Sequence, residues 1–503
     1  MSKTFGPAAF ISGCVAYLVA LMWAMTHTTY DVWGVLVVVP PLGLLGVMVI
    51  RSMFRDEAPG LKQILYAGLA FKLVGTALRY WVGFEAYQGG IDAQRYHDYA
   101  IVAATDVWAG RADLFSIFPG GTGTPFAEGL TALIYTLTGT SKMGGFVMFS
   151  FLGFIGVVLF VKAACLAIPN LAARRYAVLC VVAPSLVYWP SSIGKDALLI
   201  FLLGVATYGI ARLLSETSIL VPMIAVTVGL LGAAYIRPHM VGIWLVGALP
   251  ALIVALIRGR DPLQKRSTRS LDRAVLIPVI VATAVCLLVV SLATVRYLDP
   301  GTTGGDGEQT TSSITSILDE TTRRTEQAGS SFVPPSISSP ASWPYASVRT
   351  LTRPLLVEAR GSAQLFTALE ITMFLALCAV SWRRVLNVPK LMITYPYVAF
   401  AMTTMFLSGL AFTSFANLAV LARQRSIVVP FMLLIVCVPP LRRRAEHDPE
   451  HLAEREVLQN NSMSPSVNAQ LASGGSPGSF TERQVRTGPP PGNGAKYDDD
   501  IWG

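Results

Sequence analysis

Long apolar runs separated by short polar turns recur along the chain from residue 8 to residue 440. A helix needs about 20 apolar residues to cross the hydrocarbon core of a bilayer, and lipid offers its backbone no other hydrogen-bond partners, so each run predicts a spanning helix. The predicted fold class is all-α, a polytopic transmembrane helical bundle of about 12 helices. They are expected near residues 8–25, 31–50, 62–84, 143–167, 174–189, 196–214, 219–235, 240–257, 274–296, 363–381, 391–411 and 421–440.

Two long polar segments interrupt this pattern, at residues 85–129 and 297–362, and both are predicted to be outer-face loops. After the first loop, the apolar piece at residues 130–137 is too short to span and could be re-entrant. A polar tail rich in Pro, Gly and Ser follows the last run. The predicted organisation is a transmembrane bundle over residues 1–444, which includes both loops, and a disordered cytoplasmic tail over residues 445–503.

Composition and charge narrow the class of protein. Of the 503 residues 53% are hydrophobic and only 14% are charged, which excludes an ordinary soluble domain. Much of the net charge of +9 lies in short loops on one side of the predicted topology, above all at residues 258–273. This positive-inside pattern needs no nucleic-acid partner, and it predicts that both termini are cytoplasmic. All six cysteines lie in apolar runs, which excludes a loop disulfide framework and a CxxC metal site.

The most informative stretch covers residues 184–214, where one apolar helix is expected to stop at Pro190 and another to begin after Gly194. Lys195 and Asp196 fall in the first turn of the second helix. Charges there are costly and persist mainly where they face a polar cavity or a ligand. Two interpretations stay open: the residues contribute to a phosphate site at the positive end of the helix dipole, or they form a local ion pair that caps the helix.

Arginines at the outer boundary are contrary to the positive-inside pattern, so a specific interaction should account for them. An arginine fork binds phosphate through two parallel hydrogen bonds and stays charged, which suits a lipid phosphate or diphosphate. Lys72, seven residues before Arg79, is a further basic group expected to face the bundle interior, with Glu370 as a candidate partner. The predicted substrate-binding residues are Arg237, His239, Arg353, Glu358, Arg360, Arg423 and Arg425.

Asp92 lies in the first long loop, close behind the third predicted helix. Its carboxylate could take a proton from a sugar hydroxyl or help to hold a divalent cation, the one cofactor that the sequence suggests. The alternative is a solvated acidic loop without chemistry. His97, in the same loop, is expected to be structural or interfacial.

Four short segments resemble those of bacterial multi-pass glycosyltransferases and polysaccharide polymerases that use polyprenyl-linked sugars, loosely the GT-C superfamily and the O-antigen or EpsG-like polymerases. They are APSLVYWPSSIGKDALL, YIRPHM, the Arg-Pro and Glu-Ala-Arg-Gly sequences near residue 353, and NLAVLARQRSIVVPF. The resemblance implies that Asp92 occupies the place of the first-loop acidic residue of GT-C enzymes. The first long loop lacks the adjacent Asp-Asp or Asp-Glu pair of that family.

We therefore expect an enzyme that transfers or polymerises sugars on the outer face of a bacterial cytoplasmic membrane. Its predicted catalytic residues are Asp92 as general base, Lys195 as a charge that stabilises the departing lipid phosphate together with the arginines, and Asp196 as an orienting group. The expected partners are a lipid-linked sugar or glycan, membrane lipid and envelope-assembly proteins. Two other functions fit the same residues: a transporter or flippase of lipid-linked glycans, and a structural subunit of an envelope-assembly complex. The predicted site residues all lie on the outer face, which favours the enzyme, because a carrier should also have a site that is reachable from the inside.

Overall fold

A computed structural model describes residues 5–215, 219–258, 332, 334–335, 337, 339–359 and 362–441, and every regular element in these ranges is helical. The predicted helix at 274–296, most of the second outer loop, Arg360 and the tail from residue 445 lie outside the described residues. In chain order the α-helices are α1 (Phe5–His27), α2 (Tyr30–Met53), α3 (Pro59–Trp81), α4 (Asp92–Trp108), α5 (Thr124–Thr138), α6 (Lys142–Ala167), α7 (Ala173–Val182), α8 (Pro184–Tyr188), α9 (Lys195–Ser215), α10 (Leu220–Ile236), α11 (Pro238–Arg258), α12 (Trp343–Leu351), α13 (Ser362–Val380), α14 (Trp382–Val385), α15 (Val388–Thr394), α16 (Pro396–Ala411), α17 (Leu418–Arg425) and α18 (Val429–Ile435).

The all-α class is confirmed over the described residues, but the number of spans is wrong. Six described helices are long and apolar enough to cross a membrane, or eight if each of two bent pairs is one span, which is compatible with a polytopic bundle. Proline explains part of the difference, because the predicted helix at 174–189 divides before Pro184 into α7 and α8. The predicted helix at 421–440 is likewise interrupted, by a bend of 69° between α17 and α18. The six are Tyr30–Met53, Gly60–Ala86, Lys142–Ala167, Lys195–Ser215, Pro238–Ile257 and Pro396–Ser414.

Helix α6 forms the centre of the bundle, and most of its residues are buried on all sides. Apolar residues on every face are typical of such an enclosed helix. It packs mainly against α9 and α2. At the crossing with α9, a Cβ on Gly156 would lie 2.5 Å from the carbonyl oxygen of Ile200, and one on Gly204 would lie 2.7 Å from that of Gly156. This close approach of two backbones therefore depends on residues without side chains.

The short helix α8 is held by a buried lysine on one side and by a partly buried glutamate on the other. Proline has no N–H, so Pro190 leaves the carbonyl of Leu186, four residues earlier, without its helical donor. Lys72 of α3 donates from Nζ to that oxygen over 2.7 Å. At the other end, Glu370 of α13 accepts from the backbone N–H of Ser185 at 3.0 Å. Lys72 thus faces the bundle interior, while Glu370 caps the opposite end of α8 and is not its partner.

The first predicted outer loop contains two packed helices, α4 and α5. The buried residues of α4 are His97 and a stripe of Ala93, Tyr96, Ala100 and Ala104. Spacings of three and four residues put these side chains on one face of the helix, which packs against α5. The piece predicted to be re-entrant, at 130–137, belongs to α5, which also contacts α6 and α10. Asp92 therefore lies at the start of a packed helix and not in an irregular loop.

Candidate functional site

A cavity of about 190 Å³ lies where the start of α4, the break before α9 and the end of α17 come together. Four charged side chains are in its wall: Arg79, Asp92, Asp196 and Arg423. Three of them were predicted as site residues from the sequence, although they are far apart in the chain. The tertiary fold thus brings part of the predicted set to one place.

Asp92 begins α4, directly after Ile91, which is in an extended conformation. A carboxylate in the first turn is stabilised by the positive end of the helix dipole. The Asp92 side chain is 57% exposed, and its Oδ2 accepts a hydrogen bond from Nη1 of Arg423 at 3.0 Å. Asp92 therefore presents a carboxylate to the cavity, and a neighbouring cation fixes its orientation.

The break before α9 depends on Gly194, whose φ of +148° lies in a region that favours glycine. A Cβ there would lie 3.2 Å from Cε2 of Tyr96. Glycine thus lets the chain turn against the tyrosine ring and start α9 beside the cavity. Lys195, the first residue of α9, donates from Nζ to Oγ1 of Thr124 at 2.8 Å.

Asp196 is nearly enclosed, with 7% of its side chain exposed, and arginines occupy both of its carboxylate oxygens. Oδ1 accepts from Nη2 of Arg237 at 3.2 Å, and Oδ2 accepts from Nε of Arg423. The local ion pair, one of the two interpretations left open by the sequence, is not observed: Lys195 contacts α5, and Asp196 orients two arginines.

Helix α17 joins these groups. Its N-cap, Asn417, accepts from the backbone N–H of Ala419 at 2.9 Å, which secures the start of the helix. Its last three residues have different partners: Arg423 bridges Asp92 and Asp196, Gln424 accepts from Arg237, and Arg425 donates to backbone oxygens elsewhere. A single turn of helix therefore fixes the positions of both aspartates and of Arg237.

Arg79 of α3 lines the cavity but was not among the predicted site residues. Its Nη1 donates to the hydroxyl of Tyr188 at 2.8 Å, and its guanidinium carbon lies 4.7 Å from the centre of that ring. Its Nε is buried, and no described residue accepts a hydrogen bond from it. The sequence signal was the seven-residue spacing from Lys72, which places both residues on one face of α3.

Positive charge exceeds negative charge around the cavity. The cluster contains the cations Arg79, Lys195, Arg237 and Arg423 and the carboxylates Asp92 and Asp196. The wall itself holds two cations and two carboxylates, and Lys195 and Arg237 beside it bring the cluster to two positive charges in excess. Burial, reinforced by the charge of Asp92, raises the pKa of the neighbouring Tyr96 to about 12, so this phenol stays neutral. An anionic group such as a phosphate would balance the excess.

Arg353 and Glu358 belong to a second cluster. Glu358 accepts from Nη2 of Arg353 at 2.9 Å, from Arg349 and from the backbone N–H of Leu355 at 2.9 Å. Burial alone would raise the pKa of Glu358, but these hydrogen bonds and the two arginines outweigh it, so its pKa lies below the ordinary value. The contacts make Glu358 the anchor of the loop that follows α12.

The predicted substrate-binding set is therefore divided. Arg237 and Arg423 are at the cavity cluster. Arg425 is fully buried, and its Nη1 donates to the backbone oxygens of Leu351 and Arg353. His239 is exposed in the first turn of α11, and Arg360 lies outside the described residues. Among the described residues of this set, only Arg237 and Arg423 belong to the cavity cluster.

A metal site finds no support in the geometry. Within the ranges that the structure describes, no group of three or more His, Cys, Asp or Glu side chains could hold a metal ion. Asp92 meets a guanidinium at hydrogen-bond distance. The carboxylate of Asp92 is therefore paired with a cation of the chain itself.

Comparison of the chain with protein-family models, with curated proteins and with solved structures finds no match.

Proposed function

We propose that this chain is a membrane glycosyltransferase or glycan polymerase that uses a polyprenyl-phosphate-linked sugar at the outer face of a bacterial cytoplasmic membrane. One observation carries the proposal: a half-exposed carboxylate, Asp92, shares a cavity wall with Arg79 and Arg423 in a cluster with two excess positive charges. Transfer from a lipid phosphate needs a base for the acceptor hydroxyl and cations for the leaving phosphate. Both kinds of group lie within one cavity.

The proposed step forms one bond and breaks one. The acceptor hydroxyl oxygen attacks the anomeric carbon of the donor sugar, and the carboxylate of Asp92 takes the hydroxyl proton. The bond between the anomeric carbon and the phosphate oxygen breaks, and the lipid phosphate leaves with the electron pair. Arg79 and Arg423 stabilise the charge that develops on the leaving oxygen, because fixed cations need no rearrangement as the charge appears.

The remaining charged residues have supporting roles in this proposal. Asp196 is a positioning residue, since arginines occupy both of its oxygens and leave none to accept a substrate proton. It holds Arg237 and Arg423 in place. Lys195, bound to Thr124, adds positive charge beside the cavity. The outer-face orientation follows from the positive-inside distribution of basic residues in the sequence.

The experiment compares Asp92→Asn with wild type, both full-length and purified in detergent. Each is incubated with a panel of polyprenyl-phosphate-linked sugars and acceptors, and released polyprenyl phosphate is measured. We expect a loss of at least about 100-fold in Asp92→Asn, the usual contribution of a general base. Asp106→Asn is the matched control, because Asp106 is on the same helix and contacts Arg111 at the surface. That control should keep wild-type turnover.

Two outcomes would count against the proposal. Wild-type turnover in Asp92→Asn would show that Asp92 is not the base. If the wild type binds polyprenyl phosphate more tightly than the uncharged polyprenol but turns over no member of the panel, the cavity is a head-group site, and the flippase function is the better account.

A further inference from the structure

A second, mainly apolar groove lies between α7, α13 and α18. It encloses about 60 Å³, and most of its wall consists of Leu, Val, Met and Phe side chains. Val182 and Met373, which line it, are 47% and 59% exposed on the surface of the bundle. Exposed apolar side chains on a membrane-spanning bundle face lipid, so the groove is accessible from the hydrocarbon of the bilayer.

Two ionisable side chains, Arg425 and Glu370, line this otherwise apolar groove. Arg425 is fully buried, and its Nε and Nη2 find no hydrogen-bond acceptor among the described residues. Nη2 lies 3.9 Å from Oε2 of Glu370, close enough for an ion pair but too far for a hydrogen bond. The other oxygen of Glu370, Oε1, accepts from Ser185. Buried charged donors are usually paired in folded proteins, so these two N–H groups favour a ligand that offers an oxygen acceptor.

We infer that the groove binds one acyl chain of an ester-linked membrane lipid, whose ester carbonyl oxygen accepts hydrogen bonds from Nε and Nη2 of Arg425. Glu370 already balances the charge of the guanidinium, so a neutral acceptor fits better than a second anion. The apolar walls match a hydrocarbon chain. A polyprenyl chain would match the walls but has no oxygen to offer there. The inference is independent of the function proposed for the cavity.

Native mass spectrometry of the full-length protein tests this assignment. Delipidated protein is mixed with a diacyl phosphatidylcholine or with its chain-matched dialkyl ether analogue, which lacks both ester carbonyls. We expect the wild type to retain the ester lipid at least about tenfold more tightly, because even one hydrogen bond to a charged group has an effect of this size. Equal retention of the two lipids, or retention of neither, would overturn the inference.

Two variants locate the binding. Met373→Trp enlarges a side chain in the groove wall and should abolish the preference for the ester lipid. Its matched control is Leu369→Trp, one turn earlier on α13, because Leu369 is 49% exposed and is not part of the groove wall. Arg425→Lys keeps the charge but removes the guanidinium donors, and it should make the two lipids equal.

Comparison of Met373→Trp with Leu369→Trp decides the result even if Arg425→Lys does not fold. A Met373→Trp protein that keeps the ester preference of its control would show that the lipid binds elsewhere, which rejects the groove. A folded Arg425→Lys protein that keeps the preference would likewise remove Arg425 as the carbonyl donor.

Discussion

The two aspartates that share Arg423 should respond very differently to the same substitution. Asp196→Asn removes the only carboxylate that contacts both Arg237 and Arg423 among the described residues, at a site where 7% of the side chain is exposed. Loss of one partner from a buried ion pair typically costs about 3–5 kcal/mol, because the other charge stays buried without compensation. Asp92→Asn acts on a side chain that is 57% exposed, where an ion pair contributes about 0–1 kcal/mol. The stability difference between the variants should therefore be at least about 2 kcal/mol.

Unfolding in detergent micelles measures this difference. The free energies of unfolding of wild type, Asp92→Asn and Asp196→Asn are compared under one set of conditions, with Asp106→Asn as the control for a surface carboxylate. A double variant that combines Asp196→Asn with Arg237→Gln should be less unstable than the two single changes added together, since it also removes one of the stranded charges. Equal stabilities for Asp92→Asn and Asp196→Asn would refute the reasoning, as would strict additivity in the double variant.

Two further predictions concern the elements that shape the cavity. Gly194→Ala should destabilise the protein by about 1–3 kcal/mol, since an alanine would have to adopt a positive φ against the ring of Tyr96; a melting temperature equal to that of wild type would contradict this. Burial and the charge of Lys142 lower the pKa of His97 in the folded protein. The unfolded chain therefore binds the proton more tightly, so the free energy of unfolding is unaffected by His97 above a pH of about 6.5 and decreases as the pH falls below that value. Melting temperatures measured between neutral and acidic pH should show this decline, and His97→Gln should reduce the slope; an unchanged slope would assign the pH dependence to other groups.

Several features of the fold could be predicted because they follow from local chemistry. The apolar runs predicted a helical membrane protein, since lipid leaves the backbone no partner outside its own segment. The break near Pro190 and the start of α9 at Lys195 are also observed, because proline cannot continue the hydrogen-bond ladder. The number of spans was overestimated, since an apolar run shows how hydrophobic a segment is but not where packing bends it.

The candidate site shows the same division between local and long-range information. The sequence by itself determined that Asp92, Asp196 and Arg423 are charges in an apolar chain, and such charges need a polar partner or a ligand. Only the tertiary structure decided the pairing: Arg423 binds both aspartates across more than 200 residues of chain, whereas Arg425, two residues later on the same helix, is directed to backbone oxygens near Arg353. The physical reason is that ion pairs and hydrogen bonds depend on the distance between groups and on their burial, and the order of residues along the chain specifies neither directly.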